Sequence, residues 1–273
     1  MDAQTLRAQA FKALHERDTA FVIPNPWDAG SAKMLASLGY AALATTSAGF
    51  AFSRGRPDGA LSLENTLENV RAIVGATSLP VAVDLENGFS DRPEGCAESL
   101  LRAAADGVVG GSIEDATGHE DDPIYDFLHA VERIEASVAA ARSLPFPFML
   151  TARAENFLHG KPDLADTIRR LQAFAEAGAD VLYAPGLRTR EEILAVVRAV
   201  APKPVNVLMS GGVHLTVAEL SEMGVKRISV GSAMARAAYG AFYAAAQEVH
   251  GRGTFDFADQ AMPFGQINQL FKG

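Results

Sequence analysis

Short apolar runs alternate with longer amphipathic stretches along the whole chain. Eight of the short runs are rich in apolar residues and have the length of strands: Phe21–Pro24, Ala41–Thr45, Val81–Asp84, Val108–Glu114, Phe148–Arg153, Val181–Ala184, Val205–Met209 and Arg227–Gly231. The longer stretches have the character of helices and span residues 2–16, 62–76, 94–106, 127–142, 163–177, 189–200, 216–223 and 232–249. Several of these stretches end next to a glycine, as at Gly107 and Gly178, which is the usual left-handed cap of a helix.

The repeated order of helix, glycine and strand predicts parallel strands that are joined by crossover helices, an α/β arrangement. Eight such units of similar size favour a closed (β/α)8 TIM barrel that occupies residues 1–273 as a single domain. An open, doubly wound sheet is the alternative, because periodicity alone does not distinguish a closed sheet from an open one.

A C-terminal segment, residues 251–273, lies outside the eight units. Its apolar side chains are Phe255, Phe257, Met262, Phe264, Ile267, Leu270 and Phe271. So much apolar surface on a short terminal segment has to be covered. The segment is therefore expected either to pack on its own barrel or to dock on a neighbouring subunit.

Composition narrows the classes of partner and the cellular compartment. The net charge of −9 argues against nucleic acid or an anionic membrane surface as a main partner. No run of 18 apolar residues is present, so no membrane-spanning segment is predicted. The single cysteine, Cys96, excludes an internal disulfide, and charges among the first twenty residues argue against a secretory signal. These features favour a cytoplasmic protein.

Three acidic residues lie where predicted strands end. Asp84 and Glu86 close the third run, and Glu114 closes the fourth. Alternation along a strand would place Asp84 and Glu86 on one face, roughly 7 Å apart. Converging carboxylates are costly without a cation among them, and oxygen ligands suit Mg²⁺, with Mn²⁺ as a substitute. The alternative is that they are solvated acids or ion-pair partners of Arg153.

Other polar residues occupy the same end of the predicted barrel, where the active sites of such folds lie. Arg153 is a candidate anion clamp, or else the partner of Glu155 or Glu114 in an ion pair. Asn206 is in phase to point toward the barrel axis. Asp58 belongs to a charged, turn-rich loop that is either a mobile lid over the site or a surface turn.

Small residues after three strands are candidate anion-binding loops. Ser47-Ala48-Gly49 follows the second strand and could present backbone N–H groups to a carboxylate or enolate oxygen, although an ordinary turn has the same composition. Ser210-Gly211-Gly212 and Gly231-Ser232 follow the last two strands, where many barrels bind phosphate. A phosphorylated substrate therefore stays open as an alternative.

Six short motifs occur in order and at barrel spacing along the chain. They are Asn25-Pro26-Trp27-Asp28-Ala29-Gly30-Ser31-Ala32, Ser47-Ala48-Gly49, Pro57-Asp58, Asp84-Leu85-Glu86-Asn87-Gly88-Phe89, Ile113-Glu114-Asp115 and Thr151-Ala152-Arg153-Ala154-Glu155. Together they resemble the isocitrate lyase/phosphoenolpyruvate mutase superfamily, in its phosphonomutase-like and oxaloacetate decarboxylase-like branch.

The resemblance implies a barrel whose C-terminal helix is exchanged with a neighbour in a homodimer or homotetramer. It implies Mg²⁺ at Asp84, Glu86 and Glu114, and an α-keto acid that chelates the metal. The carboxylate and enolate oxygen of that acid would be held at Ser47, Ala48 and Gly49. Arg153 would hold the far end of the substrate, and Asp58 would arrive with the gating loop.

Three positions depart from the pattern of the family. Residues 115–123 contain no cysteine, whereas the isocitrate and methylisocitrate lyases carry a catalytic Lys-Lys-Cys-Gly-His loop there. Glu86 stands where the family often has Asp, and the gating loop lacks the asparagine associated with the phosphomutases.

The resulting expectation is a Mg²⁺-dependent lyase that cleaves a C–C bond of a small α-keto or 2-hydroxy dicarboxylic acid through a metal-stabilised enolate. Its catalytic residues would be Asp58, Glu114 and Arg153. The substrate-binding residues would be Ser47, Ala48, Gly49, Asp84, Arg153 and Asn206. The alternatives are cleavage or transfer at a C–P bond, as in phosphonopyruvate, and a keto-acid-binding protein of weak activity.

Overall fold

Eight parallel strands form the centre of the molecule, which was described for residues 2–272 from a computed structural model. The strands are β1 (Phe21–Ile23), β2 (Leu43–Ala44), β3 (Val81–Asp84), β4 (Gly110–Glu114), β5 (Met149–Arg153), β6 (Val181–Tyr183), β7 (Val205–Leu208) and β8 (Arg227–Ser229). Their order is β1-β8-β7-β6-β5-β4-β3-β2, and each of these neighbouring pairs is parallel.

The remaining seam, between β1 and β2, is closed by a few hydrogen bonds. The Ala44 N–H donates to the Pro24 carbonyl at 3.1 Å. The Asn25 amide donates to the Thr45 carbonyl at 3.1 Å. On the other side, its oxygen accepts from two backbone N–H groups just after β8, each at 2.9 Å. The sheet is thus nearly closed, and its strands follow one another without the reversal of order that a doubly wound sheet requires. The TIM barrel is confirmed.

The helices are α1 (Ala3–His15), α2 (Ala29–Ser37), α3 (Ser47–Ser53), α4 (Leu63–Ala76), α5 (Pro93–Ala105), α6 (Phe127–Ser143), α7 (Leu164–Glu176), α8 (Arg190–Val200), α9 (Val217–Glu222), α10 (Ala233–Arg252) and α11 (Phe264–Phe271). Each predicted helix is present to within a few residues. Capping boxes begin α4 at Ser62, α8 at Thr189 and α9 at Thr216, and these signals are visible in the sequence. The short helix α3 occupies residues for which the sequence predicts a loop.

Helix α1 covers the amino-terminal end of the barrel. Phe11 and Leu14 pack with Phe21 and Met149 in a cluster that fills this end. His15 lies beside them, with its Nδ1 2.9 Å from the Phe11 carbonyl and its Nε2 3.5 Å from Nη1 of Arg227. Nδ1 therefore donates, and Nε2 faces the guanidinium as an acceptor. Burial, with a further contribution from Arg227, lowers the pKa of His15 to about 3.

Acidification from pH 7.5 to pH 5 is expected to destabilise the wild-type protein relative to His15→Gln by about 2 kcal/mol. The pKa of His15 is about 3 in the folded protein against 6.5 for the free side chain, so in this window the unfolded chain binds a proton that the folded chain does not. Denaturant unfolding of both proteins at both pH values measures the difference. The other titrating groups are common to both proteins and cancel. A free-energy difference that does not change with pH would contradict the assignment.

Most of α10 and most of residues 251–272 of the C-terminal segment are exposed. Ala235 is the buried residue of α10, whereas Phe242 is 71% exposed and Phe264 is 82% exposed. The last helix turns back to α2, where the backbone oxygen of Phe271 lies 3.5 Å from Nζ of Lys33. Packing on the same barrel therefore covers the end of the segment but leaves most of its aromatic side chains in contact with solvent. Among residues 2–272, no helix is both long and apolar enough to cross a bilayer.

Candidate active site

Arg153 lies at the centre of the carboxyl end of the barrel and contacts three carboxylates. Its Nη1 is 2.8 Å from Oδ1 of Asp84, its Nη2 is 3.1 Å from Oε2 of Glu114, and its Nε is 2.7 Å from Oε1 of Glu155. The ring of Tyr183 covers the guanidinium at 5.3 Å. These ion pairs are the alternative that the sequence left open for Arg153. Whether Arg153 also contacts substrate stays a prediction.

Asp84 is held on both of its oxygens. Oδ2 accepts the backbone N–H of Ser47 at 3.2 Å and its hydroxyl at 2.9 Å. Oδ1 accepts from Arg153 and, at 3.3 Å, from the hydroxyl of Ser112. The Asp84 N–H in turn donates to Oγ1 of Thr45 at 2.9 Å. The carboxylate therefore has a fixed orientation at the end of β3, in contact with the serine that the sequence placed in the site.

Glu86 reaches the site by a different route from the one predicted. Strand β3 ends at Asp84, and Glu86 lies in the following turn with φ 49°, so the argument from strand alternation is wrong for this pair. A left-handed conformation is uncommon outside glycine, and such strain is often found at functional sites. The Glu86 carbonyl accepts the Glu114 N–H at 3.0 Å. Its side chain lines the same pocket as Asp58 and Arg153.

The site holds an excess of negative charge. Burial, together with the neighbouring Asp84 and Asp58, raises the pKa of Glu86 to about 8. Partial desolvation, and then Asp84, raises the pKa of Asp58. Burial likewise raises the pKa values of Glu114 and Glu155 against the opposing effect of Arg153. Five carboxyl groups thus surround one guanidinium: Asp58, Asp84, Glu86, Glu114 and Glu155.

The donor set fits a hard divalent cation held partly through water. No cluster of three or more His, Cys, Asp or Glu side chains in residues 2–272 forms a ready-made metal cage. Mg²⁺ does not need one, because it keeps several water ligands and binds through one or two carboxylates. Burial is the main cause of the raised pKa of Glu86, and the further contributions of Asp84 and Asp58 indicate that these three carboxyl groups lie close together. Asp84, Glu86 and Glu114 therefore stay the predicted metal-binding residues.

The predicted anion-binding loop is the first turn of helix α3. Ser47 and Ala48 line the cavity beside Asp84. Two of the three backbone N–H groups already have partners in the chain, since Ser47 donates to Asp84 and Gly49 donates to Oγ1 of Thr46 at 3.2 Å. A Cβ atom at Gly49 would lie 2.6 Å from Cγ2 of Thr46, so close packing requires glycine here. Substrate binding by this turn stays a prediction.

The two loops that flank the mouth of the site differ in their contacts with the barrel. Asp58 lies in an exposed stretch at the mouth, where its Oδ1 accepts the Gly59 N–H at 3.1 Å. Asp115 points inward, and its Oδ1 accepts the Glu155 N–H at 2.8 Å while its Oδ2 pairs with Arg170 at 3.1 Å. The cysteine-free loop 115–123 is therefore anchored at its first residue, whereas the Asp58 loop lies exposed beside the pocket, and its closure over the site stays a prediction.

Sequence reasoning did not identify Arg227, which lies deep in the barrel beside Asn206. Asn206 accepts from Nε of Arg227 at 2.9 Å and donates to the hydroxyl of Ser229 at 2.9 Å. A cavity of about 200 Å³ extends from Ser47 and Asp84 down to this group, and Gly231 and Ser232 also line it. The alternation of Arg227 and Ser229 along the eighth run was the available signal, because it places both side chains on the inner face.

The chain matches the sequence profile of the family described as phosphoenolpyruvate phosphomutase over residues 11–250. A crystal structure from Burkholderia cenocepacia J2315, provisionally named a lyase/mutase, is 56% identical, with a TM-score of 0.97 and coverage of 100% of this chain and 98% of that one. An uncharacterized protein of Mycobacterium tuberculosis strain H37Rv is 31% identical over 259 residues, which is 94% of each chain.

Two relatives with named activities match this chain about as well as each other. Oxaloacetate decarboxylase of Paraburkholderia xenovorans is 29% identical over 76% of this chain and 69% of its own. Phosphonopyruvate hydrolase of Variovorax sp. is also 29% identical, over 74% of this chain and 72% of its own. Both names describe enzymes that act on small keto acids, but one breaks a C–C bond and the other a C–P bond. Overall identity therefore does not distinguish the two reactions.

Proposed function

The chain belongs to the phosphoenolpyruvate phosphomutase family, and from that premise we propose that it is a Mg²⁺-dependent lyase. Its substrate class is a small α-keto or 2-hydroxy dicarboxylic acid, in which it cleaves a C–C bond by decarboxylation or a retro-aldol step. The observation that carries the proposal is the surplus of carboxylates around one guanidinium at the carboxyl end of the barrel. A divalent ion bound there would stabilise negative charge that develops on a keto or hydroxyl oxygen of the substrate.

The protein's own groups would orient the acids and control water. Arg153 joins the ends of β3, β4 and β5 through Asp84, Glu114 and Glu155, so one side chain fixes the spacing of three carboxylates. Ser47 holds Oδ2 of Asp84 with both its N–H and its hydroxyl. Preorganised groups of this kind lower the barrier because they need not rearrange as charge develops.

Asp58 is proposed as the group that carries a proton at the mouth of the site. Its pKa is raised above the ordinary value for an aspartic acid by partial desolvation and by Asp84, which favours a role as a proton donor or acceptor. Closure of its loop would also exclude water from the substrate. Glu114 and Arg153 complete the proposed catalytic set.

A substrate screen with Mg²⁺ tests the reaction class. Oxaloacetate, substituted malates and phosphonopyruvate would be supplied separately, with product keto acid, carbon dioxide and inorganic phosphate measured in each case. We expect a keto-acid product from a dicarboxylic acid, loss of that activity in a chelator, and no release of phosphate. Release of phosphate from phosphonopyruvate alone would favour the C–P reaction. Tight binding of keto acids without turnover of any would favour a binding protein.

A homo-oligomer is proposed from the exposed aromatic side chains of α10 and the C-terminal segment. Phe242, Tyr243 and Phe255 are each more than half exposed on a part of the chain that the barrel does not cover. An apolar surface of this kind is typical of an interface between subunits. A soluble dimer or tetramer in the cytoplasm accounts for these features together with the single buried cysteine.

Light scattering coupled to gel filtration is expected to give a multiple of the 28.8 kDa protomer mass for the wild-type protein. Phe242→Glu should shift the mass toward the protomer, because it places a charge in the proposed interface. Leu38→Glu is the matched control, since Leu38 is 74% exposed on the barrel wall and its substitution should leave the mass unchanged. A wild-type mass of one protomer at micromolar concentration would contradict the proposal.

A further inference from the structure

Arg227 is a buried cation whose nitrogens contact only neutral groups. It is 6% exposed. Its Nε donates to Oδ1 of Asn206 and its Nη2 donates to Oγ1 of Thr151, both at 2.9 Å, while its Nη1 lies 3.5 Å from Nε2 of His15. In residues 2–272, no carboxylate lies within ion-pair distance of this guanidinium. A buried charge without a counter-ion is costly, so Arg227 is expected to lower the stability of the fold.

Other arginines inside the barrel either pair with a carboxylate or lie away from the cavity. Arg153 and Arg170 pair with carboxylates. Arg133 has no carboxylate partner, but it donates to two backbone carbonyls and stacks on Tyr125 at 4.1 Å, away from the cavity. Arg227 is the one of these that both lacks an anion and lines the cavity. Burial lowers its pKa to about 10, which still leaves it positively charged at neutral pH.

The space beside Arg227 belongs to the same cavity as Asp84. The interior of a TM barrel is usually filled by bulky branched side chains. Here the wall formed by β2, β3 and β4 carries Ala44, Ala82 and Ser112 instead, and the cavity of about 200 Å³ is left between this wall and Arg227. Ser229 and Thr151 add hydroxyl groups to the lining. A ligand held at Ser47 and Asp84 could therefore extend a second polar group downward to the guanidinium.

We propose that Arg227 binds the second carboxylate of a dicarboxylic substrate and so makes the enzyme selective for diacids over monoacids. This inference rests on the proposed function for the position of the first carboxylate and the keto or hydroxyl oxygen. Guanidinium groups bind carboxylates through paired, charge-assisted hydrogen bonds, which gives both affinity and orientation. His15 and Thr151 orient Arg227 from below and across the barrel, and Asn206 acts as a positioning residue through its contact with Nε.

Calorimetric binding of malate and lactate in the presence of Mg²⁺ tests the proposal directly. Both are 2-hydroxy acids, and they differ in the second carboxylate alone. The wild-type protein should bind malate about 10- to 100-fold more tightly than lactate, the range expected for a charged hydrogen bond. Arg227→Met should lose that preference through weaker malate binding, with lactate binding unchanged. Arg227→Lys should retain part of the preference because it keeps the charge.

Several outcomes would overturn the proposal. A wild-type protein that binds malate no better than lactate would contradict it without any variant. A folded Arg227→Met protein that keeps the preference, or that loses affinity equally for both acids, would show that Arg227 serves the packing of the barrel. If Arg227→Met does not fold, Arg227→Lys decides, because a purely packing role predicts equal weakening of both acids. Failure of the proposed function can be distinguished from failure of this inference. In the first case the protein would turn over no dicarboxylic acid but would still bind malate more tightly than lactate.

Discussion

Arg153→Met is expected to abolish activity and to destabilise the folded protein by about 3–5 kcal/mol. The guanidinium contacts Asp84, Glu114 and Glu155, and its side chain is only 14% exposed. Methionine replaces the unbranched aliphatic part of the side chain but leaves three carboxylates in a poorly solvated site without their cation. Burial already raises the pKa values of Glu114 and Glu155, and they should rise further without Arg153, so the variant should gain stability relative to the wild-type protein as the pH falls from 7 to 5.

Denaturant unfolding at both pH values and steady-state activity measure these effects. Arg71→Met is the matched control, because Arg71 pairs with Asp106 at 2.8 Å while 52% exposed. Pairs of that kind contribute less than about 1 kcal/mol, and the control should keep full activity. An Arg153→Met protein as stable as the control, or one that gains no stability relative to the wild-type protein on acidification to pH 5, would contradict the central place given to this residue.

Asp84→Asn is expected to lower turnover about 1,000-fold while destabilising the fold much less than Arg153→Met does. The substitution removes the charge that a divalent cation requires and keeps the size of the side chain, but an amide NH2 replaces one of the two oxygens that accept hydrogen bonds from Ser47 and Arg153. It also removes one of the groups that raise the pKa of Glu86, so that pKa should fall. Loss of activity would therefore be accompanied by relief of repulsion in the site.

Ser112→Ala is the control for Asp84→Asn, since it removes a 3.3 Å hydrogen bond to the same carboxylate and leaves the charge in place. Its turnover should fall less than about tenfold, in keeping with the loss of one neutral donor. Turnover and thermal unfolding of the two variants should be measured with the same Mg²⁺ concentration. Equal losses of turnover in both variants would mean that orientation of Asp84, and not its charge, is what the site needs.

The barrel could be predicted because its signals are local and repeated. Glycine caps, capping boxes such as that at Thr189, and apolar runs of strand length each depend on a few adjacent residues. Helix α3 was not predicted, because its signals do not lie in adjacent residues. Residues 47–53 combine serine and glycine with apolar residues, and the requirement for Gly49 comes from contacts with Thr46 and Trp27 that lie outside the helix.

The meeting of Asp84 and Glu114 with Arg153 at the carboxyl end of the barrel could be predicted, but its geometry could not. Asp84 and Arg153 follow from their positions at strand ends, yet only the register of β3, β4 and β5 shows that the arginine pairs with the acids. Glu86 reaches the same pocket through a left-handed turn that strand alternation does not describe. The role proposed for Arg227 could not be predicted from the sequence. The partners of its guanidinium, Asn206 and Thr151, lie on other strands, so the lack of a carboxylate among them depends on packing across the barrel.

Titration of Mg²⁺ into the wild-type protein and into Asp84→Asn, with and without oxalate, tests the account most directly. The account predicts Mg²⁺ binding to the wild-type protein that tightens with oxalate and is lost in the variant. Because the pKa of Glu86 is about 8 without metal, binding at pH 7 should also release up to one proton, which calorimetry in buffers of different ionisation enthalpy measures. Absence of Mg²⁺ binding in the presence of oxalate, or equal binding by both proteins, would contradict it.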